Sequence, residues 1–242
     1  MKKGTRFFIS VLIVMAMVMN FTGSCTKDSG NTDPSNVSLT DKDGNTYKTV
    51  KIGSQIWMAE NLKTTTFNDN TAIPDVADNS AWIILTTPGY CWYGNDEASN
   101  KPVYGALYNW YAVNTGKLCP AGWHVPSNAE FDTLKLFLGL PPEQVNSWGW
   151  GGTDQGTQLK SMSGWADGEN GTNTSGFTAL PGGYRYGADG TFNAIGKLSY
   201  WWSSTEDGSS TSWYLRLDGS KADIYNASTA MTAGKYVRCV KD

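Results

Sequence analysis

One histidine, few charges and an apolar run too short to cross a bilayer set the first limits on this chain. His124 is the only imidazole in 242 residues. That excludes a multi-histidine zinc or iron centre and leaves any Ser-His-Asp arrangement dependent on one side chain. Only 17% of the residues are charged, the formal net charge is -3 and the pI is near 5.2. Such a chain offers no basic face to phosphates, so nucleic acid is not an expected partner. The apolar run from Phe7 to Met19 falls short of the ~20 residues that span a bilayer.

That run follows Lys2, Lys3 and Arg6, and the two together read as an export signal over residues 1–24, set aside from fold reasoning. It ends at Phe21-Thr-Gly-Ser-Cys25, small residues before a cysteine, which resembles the lipobox of bacterial lipoproteins and puts the lipid on Cys25. The alternative is ordinary secretion with a leftover thiol. With Cys25 acylated, residues 25–37 are too polar to order themselves and serve as a flexible tether. Thr26, where inner-membrane lipoproteins carry an aspartate, implies the outer membrane, with the cell surface as the expected face.

Residues 38–242 are enough for one domain with a sizeable core. The chain is poor in Lys and Glu but holds 11 Trp, 12 Tyr and 27 Gly, a balance that suits a loop-rich, extracytoplasmic β or α+β fold. Three cysteines remain besides Cys25. Two of them are expected to pair in an oxidising compartment, leaving the third buried or reactive. Cys119 with Cys239 is the preferred pairing because it closes most of the domain; Cys91 with Cys119 is the alternative.

Along the chain, Asp43-Gly44 is a turn core within a hairpin over Thr40–Tyr47, and Thr46–Ile52 alternates as a half-buried strand. Asp41-x-Asp43-Gly-Asn45 lacks the glycine and glutamate positions of an EF-hand loop. Ile52–Trp57 repeats the hairpin pattern around Gly53-Ser54, and Glu60 and Asn61 read as capping residues. Thr64–Thr87 is irregular. A short aromatic helix is expected over Tyr104–Val113. The clearest helix begins after Pro126, with Ser127 as N-cap, Glu130 completing a capping box, and Phe131, Leu134, Phe137 and Leu138 as its buried stripe. Residues 141–176, rich in Gly, Asp, Asn and Trp, read as a long loop, and such loops are usually functional. Strands and turns then follow at Phe177–Leu180, Gly182–Tyr186, Tyr200–Ser204, Thr211–Leu217, Ala222–Tyr225 and Tyr236–Val240.

Taken in order, five segments carry a resemblance. They are Asp43–Leu62, Cys119-Pro-Ala-Gly-Trp-His-Val-Pro126, Gly176-Phe-Thr-Ala-Leu-Pro-Gly-Gly-Tyr-Arg185, Trp201-Trp-Ser-Ser-Thr205 and Val237-Arg-Cys239. Together they resemble the Fibrobacter succinogenes major paralogous domain over residues ~40 to 242. The resemblance implies an α+β, C-type-lectin-like fold of the kind shared with formylglycine-generating enzymes: a small twisted antiparallel sheet, one or two helices and a long loop region carrying the ligand site. The cysteine pair those enzymes use has no counterpart, because Cys239 lacks a second cysteine a few residues away.

No catalytic set is expected. His124, between Trp123 and Pro126, reads as a packed, hydrogen-bonded structural residue. Trp148 and Trp150, flanked by Gly or Ser, are the rings best placed for exposure, and exposed rings stack on sugars and anchor interfaces. Trp165 and Arg185 are weaker additions to that ligand set. No cofactor is required. Calcium is possible at Asp167, Glu169, Asn170 and Asn173, hard oxygen donors on a glycine-rich stretch, which turn formation explains equally well. The leading expectation is a lipid-anchored, non-enzymatic binding or adhesion module for a glycan or a protein at the cell surface. Its rivals are a carbohydrate-active enzyme using loop carboxylates such as Asp154 or Glu169, and a structural subunit of a surface assembly.

Overall fold

The computed structural model describes Met1 and residues 39–242. The expected export signal, Cys25 and the tether fall on residues outside the described ones, Met1 apart. Two hairpins come first. β1 (Leu39–Thr40) and β2 (Thr46–Tyr47) pair antiparallel across a turn organised by Asp41. Its carboxylate accepts from the N–H groups of Asp43 and Asn45 at 3.0 and 2.9 Å and from the Tyr47 hydroxyl at 2.5 Å, the self-closing turn chemistry that aspartate favours. β3 (Thr49–Ile52) and β4 (Gln55–Met58) pair around Gly53. Gly53 has φ +61, and a Cβ there would lie 2.8 Å from the Phe137 ring, so only glycine fits. The strand expected as continuous over 46–52 breaks at Lys48, because β2 and β3 belong to different sheets.

The stretch expected to be irregular holds a helical turn, α1 (Asn79–Ile83), N-capped by Asp78. β5 (Tyr90–Cys91), α2 (Glu97–Tyr104), β6 (Leu107–Tyr108) and α3 (Trp110–Val113) follow. The aromatic helix expected over 104–113 is therefore helical only at its end. Leu107 and Tyr108 pair with Cys91 and Tyr90, and the Asn109 side chain caps α3 by accepting from the Ala112 N–H. Past β7 (Trp123–His124) comes α4 (Asn128–Phe137), which has the expected Ser127–Glu130 capping box. Phe131, Leu134 and Leu138 are buried, but Phe137 is 61% exposed. Lys135 takes its place inside, four residues from Phe131 on one helical face, and its ammonium donates to the Val145 carbonyl and meets Asp132 at 2.6 Å.

The expected loop over 141–176 contains β8 (Gly149–Gly151) and α5 (Gln155–Leu159). The C-terminal third supplies β9 (Tyr184–Arg185), β10 (Phe192–Asn193), β11 (Leu198–Glu206), β12 (Thr211–Asp218), β13 (Ile224–Ala230) and β14 (Val240–Lys241). The architecture is α+β, with short helices around small antiparallel sheets. Two have four strands, ordered β11-β12-β13-β8 and β3-β4-β14-β7. Phe177–Leu180 is not a strand; Ala179 makes only an isolated bridge to Lys160.

Residues 231–241 tie these pieces together. Met231 accepts from Trp110, Lys235 and Tyr108 exchange backbone bonds, and so do Gly234 and Arg185. Val237 and Cys239 accept from Leu62 and Met58, and Val240 pairs with both Trp57 and His124. A disulfide joins Cys119 to Cys239 across 120 residues, while Cys91 is free and buried. Burial pushes the Cys91 thiol up to about 12. Buried Trp57, Phe131, Phe177 and Trp201 form a run of ring contacts at 5.4 to 5.9 Å, and the Trp201 indole N–H donates to Asn61 Oδ1. Three of the five resemblance segments, 43–62, 176–185 and 201–205, thus meet at these rings.

Candidate functional site

The sheet β11-β12-β13-β8 supplies the site. Residues directly opposite in an antiparallel pair share a face, and neighbours along a strand alternate. The register sets Tyr200 opposite Arg216, Arg216 opposite Tyr225, and Tyr225 opposite Trp150. Trp202, Tyr214 and Ala227 lie on the same face. Trp201, Leu215, Leu217 and Ile224 point the other way, into one buried cluster, while Tyr200, Trp202, Tyr214 and Ala227 belong to another, against which Tyr184 and Tyr225 pack half-buried.

The rings on that face form a ladder. Tyr184 lies 4.6 Å from Tyr200, Tyr200 5.4 Å from Tyr214, Tyr214 6.4 Å from Tyr225, and Tyr225 5.0 Å from Trp150. Tyr186 extends it beyond Tyr184 at 6.5 Å. The Arg216 guanidinium sits 5.0 to 5.8 Å from the centres of the Tyr225, Trp150 and Tyr200 rings, within reach of a cation–π attraction. Its Nη2 donates to Asp218 at 2.8 Å, and its Nε is buried with no hydrogen-bond partner among the described residues. Tyr200 and Tyr214 form the floor at 7 and 9% exposure, while Tyr186 stands out at 47%. Trp150, Tyr184, Arg216 and Tyr225 are half-buried.

Under the ladder lies Lys235, 3% exposed. Its ammonium is 4.2 Å from the Tyr214 ring, 4.4 Å from Tyr200, 5.0 Å from Trp202 and 5.6 Å from Tyr184. Burial, then repulsion from Arg216, lowers its pKa to about 7. The same burial holds the Tyr200 and Tyr214 hydroxyls above their usual range.

The residues singled out from sequence are spread apart. Trp150 sits in edge strand β8 and is the outermost ring of the ladder. Trp148 is 58% exposed, but it packs edge-on against Trp213 at 5.2 Å, a residue that alternates with Tyr214 and so belongs to the opposite face. Trp165 is 4% exposed, and its indole donates to the Ala179 carbonyl. Arg185 is fully buried between Trp82 and Phe192 and donates to Gly190, Val76, Ala77 and Asn79. These last two, expected on a ligand face, are correctly placed as internal props, because all their donors shown are met by the chain's own oxygens.

Three of the four expected calcium donors have partners within the chain. Asn170 Oδ1 accepts from the Trp165 N–H, and Asn173 Oδ1 from the Thr178 N–H. Asp167 faces Lys197 at 3.8 Å, both of them exposed. Among the described residues, no group of three His, Cys, Asp or Glu side chains is placed to hold a metal ion.

His124 sits between two carboxylates, with Nδ1 2.6 Å from Asp242 and Nε2 2.6 Å from Glu130. Burial pulls its pKa down, but the bonds to Asp242 and Glu130 outweigh that, and the net shift is upward. Both ring nitrogens thus have a carboxylate partner, as a hydrogen-bonded structural histidine does.

Sequence reasoning passed over Tyr184, Tyr200, Arg216, Tyr225 and Lys235. The signal was present in Trp213-Tyr-Leu-Arg-Leu-Asp218, whose period-2 alternation sets Tyr214, Arg216 and Asp218 against Leu215 and Leu217. A family model described as the Fibrobacter succinogenes major domain matches residues 50–241. Comparison with curated proteins and with solved structures finds no match.

Proposed function

This chain belongs to the Fibrobacter succinogenes major domain family, and from that premise we propose that it is a lipid-anchored surface protein that binds glycan on the aromatic ladder without transforming it. The observation that carries the reading is the unbroken line of rings from Tyr186 to Trp150, with Arg216 laid across its half-exposed end. The C–H face of a pyranose is apolar and matches such rings, while its hydroxyls need a few fixed polar partners. Arg216 and Asp218 supply them. Rigid aromatics do this at low entropic cost, and these are carried on strands rather than on a mobile loop.

The address follows from the residues before the domain. Cys25, after small residues, carries the acyl chain that holds the domain at the outer membrane. The Cys119–Cys239 disulfide supports an oxidising compartment. Calcium has no part in this reading.

The test is a glycan array followed by titration, using the chain with Cys25→Ser to keep it in solution. Trp150→Ala and Tyr225→Ala should each weaken the captured glycan about tenfold or more, that is ~1.4 kcal/mol or more, with the melting temperature nearly unchanged. A blank array, or an affinity indifferent to both substitutions, overturns the proposal.

A further inference from the structure

A second concavity lies away from the ladder. It encloses about 420 Å³ between the end of β2, the segment after β4, α2 and residues 178–180, a volume in the range of small-ligand sites. Its charged lining is Lys48, Lys63, Lys101 and Arg238 against the single carboxylate of Glu60, whereas the whole chain is net negative. Pro102, Val103 and Leu180 give one wall an apolar surface.

Arg238 is the unusual member. It is 1% exposed, and its hydrogen bonds go only to neutral acceptors: Nε to Asn61 Oδ1 at 2.9 Å, Nη1 to the Phe177 carbonyl, and Nη2 to the Thr178 carbonyl at 2.9 Å. An arginine has five N–H donors. Two are thus left without an acceptor among the described residues, on a side chain that lines the cavity. Burial lowers its pKa to about 9, and Glu60 is the neighbouring charge that opposes this. A buried cation normally has a carboxylate in contact; among the described residues Arg238 has none.

At the rim, Lys63 reaches Glu60 only at 3.8 Å and Lys101 pairs with Glu97 on α2. Lys48 is exposed and has no ion pair among the described residues. The cavity therefore holds more positive charge than the chain neutralises, beside a wall suited to a ring's C–H face.

We propose that this cleft binds a carboxylate-bearing sugar, a hexuronate, with its carboxylate toward Arg238 and the lysines and its ring against Pro102, Val103 and Leu180. The N–H groups that Arg238 does not spend on Asn61, Phe177 and Thr178 can donate to a carboxylate oxygen. The site stands independently of the aromatic ladder, since the two share no residue.

The experiment is calorimetric titration of the Cys25→Ser chain with sodium galacturonate and sodium glucuronate, alongside galactose, acetate and inorganic phosphate. A uronate should bind with Kd on the order of millimolar or tighter and weaken as salt is raised. Galactose, acetate and phosphate should each be about tenfold weaker or more. The rim variant Lys48→Gln with Lys101→Gln should lose about tenfold in uronate affinity with an unchanged melting temperature, a readout that does not depend on altering Arg238. Failure of both uronates to bind, galactose, acetate or phosphate binding equally well, or a rim variant with parental affinity each overturns the assignment.

Discussion

At the scale of single residues, Lys235 shows two effects in opposition. The surrounding rings attract its ammonium by roughly 0.5–2 kcal/mol, whereas removing an ammonium from water costs several kcal/mol. Desolvation wins, Arg216 adds repulsion, and the folded pKa falls to about 7. An unfolded lysine keeps its proton to ~10.4. Between those values the unfolded chain binds more protons than the folded one, so this group makes stability rise with pH from about 7 to about 10.4. His124 acts in the other sense: its raised pKa gives stability that is present below ~6.5 and lost as pH climbs through the folded value. The difference between parent and variant isolates Lys235. Lys235→Met should flatten the rise in melting temperature between pH 7 and pH 10. It should also stabilise the protein at pH 6 by an amount on the order of a few kcal/mol. Thermal scans across that range that superimpose would refute the role given to this lysine.

At the scale of elements, the start of α4 is where local chemistry decides most. Ser127 Oγ accepts from the Glu130 N–H, and Glu130 accepts from the Ser127 N–H while also holding His124. Ser127→Ala should cost about 1 kcal/mol, read as a lower denaturant midpoint at constant slope; an unmoved midpoint would mean the cap contributes nothing. This helix was legible in the sequence because a cap is written in four consecutive residues, and so were both N-terminal hairpins, whose glycine turns are equally local. The interior face of α4 was less so, since a reading of apolar residues alone selects Phe137 and misses Lys135, whose stem is buried and whose charge is met by Asp132. The elements hidden in 64–87 and 141–176 are short. α1 and α5 span five residues each and β8 three, too few for a period to show. The site was half legible for the same reason. Trp150 stood out against its glycines, but its partners Tyr225, Arg216 and Tyr200 come from three other strands whose register no local pattern announces.

At the scale of the molecule, the disulfide and the segment leading to it set the cohesion. Linking Cys119 to Cys239 closes a loop of 120 residues in sequence separation, for which the chain-entropy account gives about 4 to 5 kcal/mol. The double substitution Cys119→Ala with Cys239→Ala should lower unfolding free energy by an amount of that order, measured by denaturant titration against the oxidised parent. A loss well under 1 kcal/mol would place the cohesion elsewhere. Residues 231–241, which end at that bridge and at β14, contact β4, β6, β7, β9, β11 and α3 by backbone bonds. A polypeptide is made from its N-terminus, so this last stretch leaves the ribosome after everything it fastens. Until then the growing chain has its hairpins but lacks the segment whose backbone bonds tie them together.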